Sequence, residues 1–346
     1  MSEERPLGQV EDIDRALLGT EPRYTRREVA ERAGLPIEVA EELWQQLGFP
    51  RTGDEDVAFT EADVDALRRT AELISLGILT DDSQAALVRT WGRSFARLAE
   101  WQVSLLAGMA LEGDDPRQRL DELMDQVLPN VEALQSYIWR RHLASAANRM
   151  LGEARPDGAG ITSTLAVGFV DIVGYTSQSK SLTDAELVEW VEYFEDEMTR
   201  LVVELGGRVI KTIGDEVLFV ADDPRTAAEA TLLATGRGAD EDDRFPEVRA
   251  GIAYGEVVSR LGDVYGPTVN IAARLTSVAR PGTVLVDRGL REVLSGPIAE
   301  DDTSTVELAE LSPYSEAGEY GFRRMPRRAV KGYSKLEPFV LRRAQE

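Results

Sequence analysis

The chain has 346 residues, 43% hydrophobic and 29% charged, a globular composition long enough for two domains. Its net charge of −23 excludes the broad basic footprint of a general nucleic-acid binder, although a local cluster can still hold a small anion. With no cysteine and one histidine, His142, the chain has no disulfide, zinc–thiolate centre, thiol nucleophile or multi-histidine metal site.

The N-terminal stretch MSEERPLGQVEDIDRALLG is acidic and lacks the apolar core of a secretory signal. No segment reaches the about 18 apolar residues that a membrane helix needs. The expectation is a soluble, cytoplasmic protein. YTRREVAERAGLP opens a helix, with Thr25 and Glu28 at capping-box spacing. AGLP reads as a tight turn, IEVAEELWQQLGF as a second helix, RTGDEDVAF as a wing, and TEADVDALRRTAELISLG as a third helix. This stretch, residues 23 to 80, resembles the winged helix-turn-helix of the MerR family. The helix in the recognition position carries Glu38, Glu41 and Glu42, and the wing carries Asp54, Glu55 and Asp56. Phosphate repels such groups. The reading is therefore a helical regulatory module that does not bind nucleic acid. Two longer amphipathic helices are expected near residues 83–111 and 116–150, the second carrying His142.

LGEARPDGAG marks a change of texture. It divides the chain into a helical regulatory domain over 1–152, a linker over 153–160 and a second domain over 161–346. TSTLAVGFVDI reads as a strand, and TDAELVEWVEYFEDEMTRLVVELGG as a helix with Thr183 and Glu186 as its capping box and Gly206 at its end. RVIKTIGDEVLFVA reads as a hairpin turning at Gly214-Asp215. A helix from Pro224 to Arg237, a strand EVRAGIAYGEVV, a helix PTVNIAARLTSVA and a strand TVLVD follow. The predicted class is α+β, a ferredoxin-like β-α-β-β-α-β arrangement with helices on one face, preceded by an all-helical domain.

The chemistry gathers at three places. Asp171 ends the first strand and Asp215 sits in the hairpin turn, so the two carboxylates can converge, and with the Ile172 carbonyl they form a hard-oxygen set suited to Mg²⁺ or Mn²⁺. The same two aspartates have a plain alternative as turn residues. The amides of Gly174, Tyr175 and Thr176 can cradle phosphate. Lys211, one of only four lysines, stands inside an apolar strand before the turn. In DVYGPTVNIAARL, Asp263 precedes a helix on which Asn270 and Arg274, four residues apart, share a face.

FVDIVGYT, IKTIGDEVLF and DVYGPTVNIAARL together resemble the three signature segments of the class III nucleotidyl cyclase catalytic domain, over residues 160 to 343. The N-terminal half is similar to the regulatory domain of soluble actinobacterial adenylyl cyclases, some of which respond to pH. The resemblance implies that Asp171 and Asp215 bind two Mg²⁺ or Mn²⁺ ions. It makes Lys211 and Asp263 the base-selecting pair, and Asn270 and Arg274 the pair that steadies the transition state. The implied reaction is cyclisation of ATP to 3′,5′-cyclic AMP and pyrophosphate, in a head-to-tail homodimer whose sites draw on both chains. The segment between Tyr254 and Asp263 is short for the family, which bears on the dimer arm.

Lys331 matches a family position near the triphosphate, with Lys335 as the fallback. Arg323, Arg324, Arg327 and Arg328 form a dense basic cluster, read either as a pyrophosphate contact or as a solvated loop. His142 is either a proton switch or an ordinary helical histidine beside Arg140 and Arg141, and a proton or small-molecule signal would act on its domain. Two rival readings stand beside the cyclase. The first is a diguanylate cyclase, whose hairpin IGDEV approaches but which lacks the Asp-Asn-Arg set. The second is a MerR-like regulator that senses nucleotide without cyclising it.

Overall fold

The computed structural model describes residues 17–18, 20–77, 81–111, 116–153, 162–240, 242–295, 315–317, 319–326, 328–330 and 333–344. The chain forms two compact units, Met1–Glu153 and Ala154–Glu346.

The first unit is helical: α1 (Arg26–Ala33), α2 (Ile37–Leu47), α3 (Glu61–Ser75), α4 (Asp81–Leu111) and α5 (Pro116–Glu153). The Thr25–Glu28 capping box forms, a second joins Thr60 to Asp63, and left-handed Gly34 and Gly48 end α1 and α2. Val29, Ala40, Leu43, Val64, Leu67 and Val88 close the core, with Trp44 stacked on Phe59 at 4.8 Å. The expected wing forms no hairpin among the described residues, where one isolated bridge joins Tyr24 to Phe59. Two of the acids read as hostile to phosphate, Glu41 and Asp54, hold the fold instead. Buried Arg26 pairs with Glu41 at 3.0 Å and with Asp54, tying α1 to α2 and to the segment before α3. Among the described residues, no helix is long and apolar enough to cross a membrane.

The second unit begins with the predicted order: β1 (Thr162–Ile172), α6 (Tyr175–Gln178), α7 (Asp184–Glu204), β2 (Arg208–Ile213), β3 (Glu216–Ala221), α8 (Pro224–Gly238) and β4 (Val248–Arg260). Then come β5 (Asp263–Tyr265), α9 (Pro267–Val278), β6 (Val284–Val286), α10 (Arg288–Ser295), β7 (Ser315–Ala317), β8 (Tyr320–Arg324), β9 (Arg328–Val330), β10 (Tyr333–Leu336) and β11 (Phe339–Arg343). The sheet runs β2-β3-β1-β4-β6-β11-β8-β7, with β5 paired to β4, while β9 and β10 form a separate pair. Its first four strands are the split β-α-β of the expectation, with β3 antiparallel between β2 and β1. The sheet then continues through β6, the expected TVLVD strand, which pairs parallel to β4, and through C-terminal strands that the sequence reading did not foresee.

The central strand β1 buries side chains on both faces, so its sequence is nearly continuous in apolar residues. Ala166, Val170 and Ile172 join Phe194 of α7 and Ala227 and Ala234 of α8 in one core. Leu165, Val167 and Phe169 join Leu218, Ala253 and Ala272 of α9 in the other. Helices therefore cover both faces, which corrects the expectation of one. Gly251 makes this second layer fit: a Cβ there would lie 2.3 Å from the Thr276 amide nitrogen and 2.6 Å from the Ala272 carbonyl oxygen.

Candidate active site

The hairpin between β2 and β3 turns at Gly214-Asp215, with Gly214 at φ +66°, the left-handed conformation that such a turn needs. The Ile172 amide donates to the Asp215 carbonyl at 3.1 Å, so the turn is pinned to the end of β1. In the sheet, Asp171 faces Glu216 of β3 on one side and Arg249 of β4 on the other. The Arg249 guanidinium donates Nε at 2.7 Å and Nη2 at 2.6 Å to the same Asp171 oxygen, Oδ2. Gly174 follows in the left-handed region and opens the four-residue helix α6. Its carbonyl accepts from the Ser177 hydroxyl at 2.7 Å and from the Ser177 amide at 2.9 Å. Tyr175 stacks on Trp190 of α7 at 5.9 Å, fixing the loop to the scaffold. The amides of Tyr175 and Thr176 belong to a first helical turn, which has no acceptor of its own.

A second group forms around β2 and β5. Lys211 reaches from β2 to donate to Asp263 Oδ2, and Asp263 Oδ1 accepts from the Val264 amide at 2.9 Å. Asp263 is delivered by a tight return: β4 runs to Arg260, turns through Leu261 (φ +55°) and Gly262 (φ +79°), and re-pairs at Asp263. Positive φ at both central residues is a type I′ hairpin, and it accounts for the shortness of the segment after Tyr254. Gly266 and Pro267 then start α9. That helix buries Thr268, Ala272, Leu275 and Thr276 against the sheet and leaves Asn270 and Arg274 exposed on its outer side. Among the described residues, neither side chain has a hydrogen-bond or ion-pair partner. No hydrogen bond or ion pair among the described residues joins the Asp171 group to the Lys211–Asp263 pair.

Two families match the chain: the Adenylate and Guanylate cyclase catalytic domain over residues 160–315, and the Adenylate cyclase regulatory domain over residues 12–135. "Adenylate cyclase" of Streptomyces coelicolor is 40% identical over 342 residues, covering 96% of this chain and 89% of that one. The chain belongs to the adenylate cyclase family. Another relative of the cyclase, "pH-sensitive adenylate cyclase" of Mycobacterium tuberculosis, is 31% identical over 297 residues, 81% of this chain and 72% of that one. The crystal structure of the catalytic core of a rhodopsin-guanylyl cyclase with converted specificity, in complex with ATPalphaS, covers 53% of the cyclase and 99% of that chain, at 18% identity and a TM-score of 0.44.

Electrostatics distinguish the two groups. In the cyclase, burial raises the Asp171 carboxyl above the ordinary carboxylate value, the Arg249 bonds pull it back, and the Asp215 charge adds to the rise. Glu216 is pushed up to about 7 by burial and by the Asp171 and Asp215 charges, against Arg249. Burial also works to raise Asp263, but the Lys211 bond and the Val264 amide outweigh it and hold that carboxyl below its ordinary value. Asp171, Asp215 and the Ile172 carbonyl are a hard-oxygen donor set of the kind Mg²⁺ or Mn²⁺ takes. Among the described residues, no three His, Asp or Glu side chains already surround one cation position.

Sequence reasoning missed Arg249 and Glu216. Glu216 had a signal, since it follows Asp215 directly. Arg249 had none, since it lies 78 residues from Asp171 and meets it only through the β1–β4 register. Lys331 and Arg327 lie outside the described residues, as does the side chain of Lys335. Arg323 and Arg324 stand on strand β8 rather than in a solvated loop, and Arg324 pairs with Glu337 at 3.2 Å. His142 is exposed on α5.

Proposed function

We propose that the cyclase converts ATP to 3′,5′-cyclic AMP and pyrophosphate at sites completed by two copies of the chain. The reading rests on the Lys211–Asp263 pair. Adenine offers an acceptor at N1 and a donor at N6, which a lysine and an aspartate complement. Guanine reverses both, and an unpaired buried polar group costs about 1–3 kcal/mol. The ribose 3′-oxygen attacks the α-phosphorus, the bond to the β-phosphate oxygen breaks, pyrophosphate leaves, and the hydroxyl proton passes to solvent.

Asp171, Asp215 and the Ile172 carbonyl would hold two divalent cations, which when bound acidify the 3′-hydroxyl and offset leaving-group charge. The Gly174, Tyr175 and Thr176 amides meet phosphate oxygens. Arg274 neutralises charge developing on the α-phosphate, and Asn270 holds the ribose by a hydrogen bond. Lys331 is assigned to the triphosphate from its sequence position alone. The exposed, unpartnered Asn270 and Arg274 support a head-to-tail homodimer, in which they serve the Asp171 group of the second copy. The helical domain carries the regulatory signal, with His142 as its proton-responsive group.

The test is cyclic nucleotide formation by the full chain from ATP and from GTP, with Mg²⁺ or Mn²⁺, beside Asp171→Ala. Cyclic AMP from ATP, lost in the variant, is the expected result. Equal yields of cyclic AMP and cyclic GMP would remove the base-selecting role, and no product with either metal would leave a nucleotide sensor in its place.

A further inference from the structure

The Asp171 carboxylate already has a cationic partner within its own sheet. Resting on the assignment of Asp171 and Asp215 to metal, we infer that Arg249 is an internal counter-cation that competes with divalent metal for Asp171 and thereby sets the metal affinity of the free cyclase. Both bonds from Arg249 end on Oδ2, at 2.6 and 2.7 Å. Asp171 is 14% exposed and Arg249 34%, so solvent screens the pair only in part. Three acidic residues lie in this part of the sheet, Asp171 and Glu216 opposite each other in register and Asp215 in the turn between β2 and β3. Among the described residues, Arg249 is the cation bonded to this group.

A dication bound at Asp171 must either take over Oδ2 or stand beside a guanidinium whose charge repels it. Register holds the Arg249 backbone opposite Asp171, so the guanidinium can leave only by rotating its own side chain. Metal entry is then an exchange of one cation for another at a single carboxylate. A structural strut makes the opposite prediction: without Arg249 the carboxylate loses its fixed position, and metal binds more weakly.

The measurement is Mn²⁺ binding to the full chain without nucleotide, by titration calorimetry and by the paramagnetic signal of free Mn²⁺. Arg249→Gln is expected to bind Mn²⁺ about tenfold tighter, the scale of one charge-assisted contact. Arg249→Lys, which keeps the charge but loses the two-bond fork, is expected between that variant and the parent. Affinity in Arg249→Gln that is unchanged or weaker overturns the inference. If that variant does not fold, as judged by circular dichroism, Arg249→Lys decides: tighter binding supports competition, and equal or weaker binding overturns it. Asp171→Asn separates this from the underlying assignment, because parent-like Mn²⁺ binding in that variant would remove Asp171 from the metal site altogether.

Discussion

Lys211 on β2 and Asp263 on β5, 52 residues apart in the chain, are bonded side chain to side chain. The bond does more than join two strands. It holds the ammonium and the carboxylate side by side, and Asp263 is fixed further by the Val264 amide at 2.9 Å. In the proposed role, a purine edge meeting this pair would find its donor and acceptor already placed, which would lower the ordering cost of recognition.

Removing either member should therefore cost selectivity as well as rate. Lys211→Ala is expected to lower kcat/KM for ATP by about 10- to 100-fold while narrowing the ATP-to-GTP ratio. Competition assays with both nucleotides in one reaction measure the ratio directly. A uniform fall with the ratio kept would mean that Lys211 acts only on folding.

The proposed division of the site between two copies predicts complementation. Asp171→Ala and Arg274→Ala are each expected to lose activity by about 100-fold or more. Mixing them after unfolding and refolding should restore part of it, because a mixed dimer carries one intact site. If the mixture stays as inactive as its parts, both groups act within a single chain.

Gly251 sets how closely α9 approaches the sheet, and so where Asn270 and Arg274 stand. Gly251→Ala should destabilise the cyclase by about 1–3 kcal/mol through overpacking against backbone. At Gly236, exposed on α8, an added Cβ meets nothing within 4 Å, and Gly236→Ala should stabilise by about 0.5–1 kcal/mol. Urea unfolding of the two variants tests whether the opposite signs hold.

Asp287 gives stability a pH dependence of defined sign. It is partly buried between β6 and α10 and accepts from the Leu290 amide at 2.8 Å and the Tyr254 amide at 3.2 Å. Burial outweighs these bonds and pushes its carboxyl from 3.8 up to about 6. The folded chain thus holds this proton more tightly than the unfolded chain does. The associated stability is present below pH 3.8 and is lost as pH rises to about 6. Asp287→Asn should remove that contribution, so the stability difference between parent and variant should change across this window. A difference constant with pH would show that folding does not shift the Asp287 carboxyl.

His142 tests the regulatory assignment. Its substitution by alanine is expected to leave ATP cyclisation intact while flattening any change of activity with pH. A pH profile identical to that of the parent would take His142 out of the account.

Local chemistry was legible in the sequence because it depends on neighbours a few residues away. The capping boxes Thr25–Glu28 and Thr183–Glu186, the Gly214-Asp215 turn and the helix bearing Asn270 and Arg274 are all short-range patterns, and each forms as read. Resemblance across three segments carried the family. Tertiary structure alone decided what depends on register and packing. Arg249 meets Asp171 because β1 and β4 align antiparallel, Glu216 joins them through β3, and Glu41 on α2 and Asp54 before α3 pair with buried Arg26. Periodicity reports which face a side chain takes, but not which strand lies beside it. The cation that pairs with Asp171 therefore became visible only once the sheet had brought it across.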